Sequence, residues 1–422
     1  MSDSIKNKVT EEELRRAFVG NSISKEKPHN KVSKNDNNTK KAFWICIAMG
    51  IIGFIAGCGM IFYALLSGHE EQITNSINNS FEEKKAEEYS ALTGEVLKDA
   101  SLKNAPTYCV QTPNGLDGAR PQAGLNEAGV IFEAIAEAGI TRFAAIYQNP
   151  SAAVIGPVRS LRMYYLDWDT PFDCTIVHAG GADDALAMLS SGGYRDLTED
   201  YQYMYRGTYG GRLWNNLFTS ASFLKKYNEG KSYNTSEVKG FLRLTPEESS
   251  KERVDRQVKQ KLVITQSAPG DTSEIAPETT SVSINFGSLP SYNVKYDYNV
   301  DTNTYMRSYG NGEEHMIYNC PAEEMNGRNP EDVCNLTQMT PSVVAVMVVP
   351  ERKAADNYHE IIDTIGSGNA YIFQNGIVIQ GGWRKTSRGD QIKFTDKDGN
   401  EIKLAPGQTF ISAIPSYGSV DF

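Results

Sequence analysis

One run of sequence constrains this chain more than any other. From Ala42 to Leu66 (AFWICIAMGIIGFIAGCGMIFYALL), 25 consecutive residues carry no charge. About 20 apolar residues in a helix cross a bilayer core, so the run predicts a transmembrane helix that can tilt slightly. A soluble helix buried on all sides seldom runs so far without a charge. The flanks set its direction. Lys25, Lys27, Lys31, Lys34, Lys40 and Lys41 precede it, whereas Glu70, Glu71, Glu82, Glu83, Glu87 and Glu88 follow it. Lys and Arg are retained on the cytoplasmic side. The expectation is therefore a single-pass protein of a bacterial cell membrane, in contact with the lipid bilayer through residues 42–66, N-terminus inside and the remainder extracytoplasmic. Gly53 and Gly57 form a small-xxx-small pair that offers a route to self-association, although glycine is common in membrane helices generally. A rival reading stays open at Ile55-Ala56-Gly57-Cys58, which has the form of a lipobox with Cys58 lipidated. Against it, the preceding tail is longer than a signal n-region and the residues after Cys58 stay apolar.

Charge divides along the same line. Residues 1–41 hold ten Lys+Arg against six Asp+Glu, or +4, so the chain's net −10 leaves −14 for the rest. An acidic ectodomain argues against nucleic acid as a partner, because phosphates call for basic patches. Residues 1–41 read as a disordered basic cytoplasmic tail and 67–104, charged and free of proline, as a stalk. Cysteine usage fits an oxidising compartment. Cys46 and Cys58 fall in the apolar run, and the other four lie beyond it. Cys320 and Cys334 bracket a loop rich in Pro, Asn and Glu, which predicts one disulfide and leaves Cys109 for Cys174. No C-x-x-C spacing suggests zinc, and no cofactor or metal is expected.

The folded sequence reads as two domains. In 105–243, strand-like TYCVQT, TRFAAIYQ and CTIVHAGG alternate with helical patterns at Ala123–Ala138, capped by Gly139, and at Ala182–Leu189. That alternation predicts an α/β domain. Residues 244–280 are polar and read as a linker or an inserted loop. From 281 to 422 the pattern is β-rich, an α+β domain, with Asn375-Gly376 and Asp398-Gly399 as hairpin turns. Asp396 to Asn400 has only a superficial likeness to a calcium loop and reads as a turn.

Candidate chemistry concentrates in the first domain. Arg120, Arg142, Arg159 and Arg162 stand near Glu133, Glu137 and His178. Gly156-Pro157 suggests a helix start that would put Arg159 and Arg162, three apart, on one face. Guanidinium forks suit carboxylate or phosphate ligands, and His178-Ala179-Gly180-Gly181 reads as a ligand-facing loop at a strand end. The bland alternative is that Glu133 and Glu137 pair with these arginines to brace the fold. As a group, Arg120, Arg142, Arg159, Arg162, His178, Gly180 and Gly181 are the candidate binders of an anionic or glycan envelope ligand. Glu133 and Glu137 are the candidate acid and base if the chain instead acts on cell-wall polymers. A scaffold for envelope machinery is the third reading. The order Ser222-x-x-Lys225, Ser291-x-Asn293, Lys385-Thr386-Ser387 imitates serine acyl-enzymes of peptidoglycan. S-x-x-K also occurs at Ser22, Ser24 and Ser236, so the imitation carries little.

The strings ARPQAGL (119–125), EAIAEAGITRF (133–143), IGPVRSLRMYY (155–165), HAGG (178–181) and NLFTS (216–220) resemble the first domain of the YerB-like lipoproteins. YDYNVDTNTYMRSYGNGEEH (296–315) and GSGNAYIFQNGIVIQGGWRK (366–385) resemble that family's second domain. The resemblance covers roughly 90–422 and implies an extracytoplasmic two-domain protein of the bacterial envelope. The family's function is unknown, so no reaction is implied. Two departures stand out. Family members usually carry a lipoprotein signal where this chain has its long apolar run. Where the family has a His before the Asn-Leu of the NLFTS-like string, this chain has Asn215.

Overall fold

Strands from both halves of the chain meet in one sheet. The computed structural model describes residues 87–207, 215–266, 280–320, 329–332 and 334–422. The tail, the apolar run 42–66, the Gly53/Gly57 pair and Cys58 lie outside the described residues. No helix among the described residues is long and apolar enough to cross a membrane. The first half supplies β1 (Thr107–Pro113), β2 (Val130–Glu137), β3 (Ile140–Gln148), β4 (Thr175–Val177), β5 (Arg195–Leu197) and a short ribbon of β6 (Tyr205–Arg206) with β7 (Leu217–Phe218). The second half supplies β8 (Ser281–Asn285), β9 (Val294–Asn299), β10 (Thr304–Tyr309), β11 (Met316–Asn319), β12 (Asn335–Gln338) and β13 (Val343–Val349). It continues with β14 (Glu351–Lys353), β15 (Glu360–Ile362), β16 (Gly366–Gln374), β17 (Ile377–Lys385), β18 (Lys393–Asp396), β19 (Thr409–Pro415) and β20 (Ser419–Asp421). The large sheet runs β18-β17-β16-β13-β19-β2-β3-β1-β4-β5. Its seam is β19 parallel to β2, with Phe410 opposite Ile131 and Ser412 opposite Glu133.

Period-2 geometry sorts the seam residues onto two faces. Val130, Phe132 and Ala134 of β2 point to the face covered by α1 (Met163–Asp169) and α2 (Asp183–Ser190), where Tyr164, Tyr165, Leu166 and Trp168 pack. Trp168 stacks on Phe132 at 5.2 Å between ring centroids. Ile131 and Ile135 point to the opposite face, onto which the four-stranded sheet β10-β9-β8-β20 lays Val282, Ile284, Tyr296 and Tyr305. Glu133 shares that parity. It therefore projects into the space between the two sheets.

Three sequence expectations fail here. Residues 123–138 are not a helix: after a short 3-10 turn at Leu125–Glu127 they form β2. A strand buried on both faces loses its alternation, and the alanines that suggested helix are there because Tyr164 and Tyr165 sit tightly on them. Both hydroxyls donate to the β2 backbone, Tyr164 to the Ile135 carbonyl and Tyr165 to that of Ala134. Gly139 is accordingly no helix cap. With Ala138 it makes the β2–β3 turn, at φ 79° and 48°. Nor is 244–280 simply a linker, since Pro246–Gln266 is a helix, α4 after α3 (Ala221–Lys231). Thr245 Oγ1 accepts from the Glu248 N–H at 3.1 Å while Glu248 accepts from the Thr245 N–H at 2.8 Å, a reciprocal cap. Ser249 and Arg256 then bind Asn375 across the fold. The expected stalk also folds from Glu88 onward. Tyr89 bridges Val96, and Leu92, 2 % exposed, joins the core under Arg243, which donates to its carbonyl at 2.6 Å. Cys109 is bonded to Cys174 and Cys320 to Cys334, with Cα separations of 5.7 and 4.4 Å.

Candidate functional site

The end of β1, the β2–β3 turn and the chain around Arg159 enclose a cleft of about 370 Å³. Its wall is an ion cluster. Glu137, last residue of β2, accepts from Arg142 at 2.5 Å with one oxygen and from Arg162 at 2.6 Å with the other. Arg142 also donates to the Ser160 carbonyl at 2.6 Å. Burial holds the Arg142 pKa below its ordinary value, Glu137 works against that, and the like charge of Arg162 adds to it. Arg159 differs from both. Its Nε donates to Asn215 Oδ1 at 3.2 Å, and among the described residues its two terminal amines have no hydrogen-bond partner. Asn215 is itself anchored, donating to Asp117 Oδ1 at 2.9 Å and to the Asp117 carbonyl at 3.1 Å. Burial and the neighbouring Arg142 lower the Arg159 pKa. Arg142 and Arg159 line the cleft opposite Asp117 and Glu137, and Arg162 pairs with Glu137 from behind. An anion placed there would meet an open guanidinium fork, with the side chains of Asn114, Thr141 and Asn215 around it.

Beneath the cleft floor runs a buried polar network that joins the two halves. Asn114 donates to Thr141 Oγ1 and Thr141 donates to Glu133, each at 2.8 Å. Glu133, fully buried, pairs at 2.9 Å with the equally buried Arg307 of β10. Arg307 donates from Nε to the Tyr296 hydroxyl at 3.1 Å and from Nη1 to His315 Nδ1, which fixes His315 as the Nε2–H tautomer donating to Gln122 Oε1 at 3.0 Å. Burial first, then Arg307 and Arg120, hold His315 well below the usual histidine range, so it is neutral. Arg120 lies over the Tyr309 ring at 3.6 Å from its centroid and donates to the Asn114 side chain at 2.9 Å. Every member has a partner, which is the condition under which such a network is tolerated in a core.

The structure thus divides the residues singled out from sequence. Arg142 and Arg159 line one cleft. Arg162 does not share their face, because 157–162 is not helical. Arg159 N–H bonds the Gln111 carbonyl, Leu161 bridges Gly181, and α1 begins only at Met163 with Arg162 as its N-cap. In extended chain an offset of three reverses the side chain. Arg162 therefore lies behind Glu137, lining with Gly181 a separate cavity of about 550 Å³. His178 faces away from the arginines. It is 1 % exposed, with Nδ1 at 2.7 Å from the Gly180 carbonyl and Nε2 at 2.8 Å from Asp196, so both nitrogens serve the β4–β5 edge. Gly180, at φ 66°, turns the chain between β4 and α2. Arg120 and Glu133 belong to the seam, and Glu137 gives both oxygens to arginines, so neither carboxylate is free for acid–base work. Among the described residues no group of His, Cys, Asp or Glu is arranged to hold a metal. Asn114, Asp117, Thr141, Arg307 and His315 were missed. Only Asn215 had drawn attention, as a departure from the family, and it sits against Arg159.

Models of two domains of one family match the chain. The N-terminal domain described as "Protein of unknown function (DUF3048)" matches residues 92–234, and the C-terminal domain of the same description matches 282–411. The "Putative lipoprotein YerB" of Bacillus subtilis is 27 % identical over 335 residues, which is 77 % of this chain and 85 % of that protein. The crystal structure of the YerB protein from Bacillus subtilis superposes with a TM-score of 0.61 at 23 % identity, covering 79 % of this chain and 100 % of that one. This chain is a member of the DUF3048 family, the YerB-like proteins of unknown function.

Proposed function

We propose that this protein is held at the outer face of the cell membrane through residues 42–66 and binds, in its arginine cleft, a carboxylate or phosphate group of a cell-envelope ligand. The lipoprotein name of its relative and the basic-before-acidic flanks of the apolar run support the location. The observation that carries the ligand class is Arg159. A half-buried guanidinium whose terminal amines find no partner among the described residues, beside a second buried arginine, gains most from an anion.

The test is retention of the full-length chain, purified in detergent, on isolated peptidoglycan and on lipoteichoic acid at two salt concentrations. Arg159→Ala should lower retention about tenfold, the loss of roughly one charge-assisted bond pair, with an unchanged melting temperature. Arg162→Ala, which leaves Glu137 with Arg142 alone, should lower the melting temperature instead. Equal retention of wild type and Arg159→Ala on both polymers would overturn the reading.

A further inference from the structure

We infer that a second cavity, at the opposite end of β1 from the arginine cleft, is a saccharide-binding site. Tyr108 near the start of β1 lines it and Pro113 at the end of β1 lines the cleft, so at ~3.4 Å per residue the two lie about 17 Å apart. The cavity holds about 370 Å³ between Tyr108, Asn149 beyond β3, and Ser222, Asn228, Tyr233 and Asn234 on and after α3.

Two groups on its wall lack partners. Asn228 is 1 % exposed and its Oδ1 accepts from Thr175 Oγ1 at 2.7 Å, yet its Nδ2 is buried without an acceptor. Tyr108 is 3 % exposed, and among the described residues its hydroxyl has no hydrogen-bond partner. Burial and then Glu229 push that hydroxyl up to about 12, so it remains protonated. A buried donor is rarely left unmade, and one beside a tyrosine hydroxyl that has no described partner and opens on the cavity marks a place that ligand acceptors complete. The chemistry around them selects the ligand. Lys225 and Glu229 on the rim are 3.9 Å apart and offset one another, so the cavity favours no net charge. Three amides and three hydroxyls each donate and accept, as sugar hydroxyls do. The half-buried Tyr233 ring offers a surface for the C–H face of a pyranose. No residue of the arginine cleft takes part, so this site stands or falls apart from the function proposed above.

The full-length chain, in a sugar-free polyoxyethylene detergent, would be titrated with tetramers of N-acetylglucosamine, glucose and galactose by saturation-transfer NMR and calorimetry. At least one should bind with a Kd of about 1 mM or tighter. Tyr108→Phe removes a hydroxyl that bonds no described residue, so the melting temperature should hold while affinity falls roughly tenfold. Tyr233→Ala should weaken the same sugar to a similar degree, and Arg159→Ala should leave it unchanged. If no tetramer binds, the unpaired groups are met by water alone and the inference fails. It fails equally if either tyrosine variant binds like wild type.

Discussion

Replacing Arg307 with Met isolates the ion pair that ties the two halves together. Arg307 and Glu133 are both completely buried, 174 residues apart in sequence, and meet at 2.9 Å between the large sheet and β10. Met keeps much of the volume and removes the charge. Glu133 would retain Thr141 at 2.8 Å and Asn114 at 3.3 Å but face no cation, and His315 Nδ1 would lose its donor. Removing one partner of a buried pair costs ~3–5 kcal/mol, because the remaining charge stays desolvated. Losing the donor to His315 adds about 1 kcal/mol. The expected loss is therefore about 4–6 kcal/mol, a drop in melting temperature of roughly 8–12 °C at ~2 °C per kcal/mol for a body of this size. Urea denaturation of wild type, Arg307→Met, Glu133→Met and the double variant measures it, with the slope m as a check that the unfolded state is unchanged. The double variant should be more stable than the sum of the single losses predicts by about 2 kcal/mol or more, since two apolar side chains leave no orphan charge. A single loss below about 1 kcal/mol, or strict additivity, would refute the claim that this pair holds the seam.

Two further outcomes follow from groups elsewhere in the fold. Asp169 is fully buried, with Oδ2 accepting from Gln111 at 2.8 Å and Oδ1 unpartnered, and burial pushes its carboxyl well above the usual range. A raised folded pKa means the folded state holds the extra proton. Stability from this group is full below its unfolded pKa of about 4 and is lost as pH rises through the folded value. Asp169→Asn should remove that decline, so its stability relative to wild type should grow with pH from about 4 upward; parallel urea profiles would sink the assignment. For the disulfides, the Cys109–Cys174 bridge spans 65 residues and Cys320–Cys334 spans 14. Loop entropy predicts losses of about 4 and about 3 kcal/mol when each pair is replaced by Ala. Reversal of that order in urea titrations would show that native-state effects outweigh loop closure.

What the sequence shows depends on whether one face of an element meets water. Asn375-Gly376 was legible because a two-residue hairpin demands positive φ, here 52° and 72°, whatever surrounds it. The Thr245–Glu248 cap was equally local and could have revealed α4, but the polar composition of 244–280 drew the reading toward a linker. β2 was illegible because it lies in the middle of the sheet, where every residue from Val130 to Ala136 is buried and no alternation survives. Arg307 was hidden for a different reason. In Thr304–Tyr309 the residue expected inward by hydropathy is Met306, yet the buried positions are Tyr305, Arg307 and Tyr309. Two aromatic neighbours at i±2 were the available signal that this arginine points inward.

The arginine site turns on the same parity. IGPVRSLRMYY reads as a helix start if Pro157 opens the first turn, and both arginines then share a face. What prevents it is pairing that no local pattern announces. Ile155 bridges Thr219, Val158 bonds the Leu217 carbonyl, Arg159 that of Gln111 and Leu161 that of Gly180. These bonds come from segments up to 64 residues away, and together they keep 155–161 extended until Arg162 caps α1. The extended backbone then sends Arg159 to the cleft and Arg162 behind Glu137, so one motif yields one open guanidinium and one structural one. Neither role belongs to the pair as such. Each follows from where the backbone hydrogen bonds of the segment go, and a substitution that restored helix at 157–161 should cost Arg159 its cleft before it touched any ligand contact.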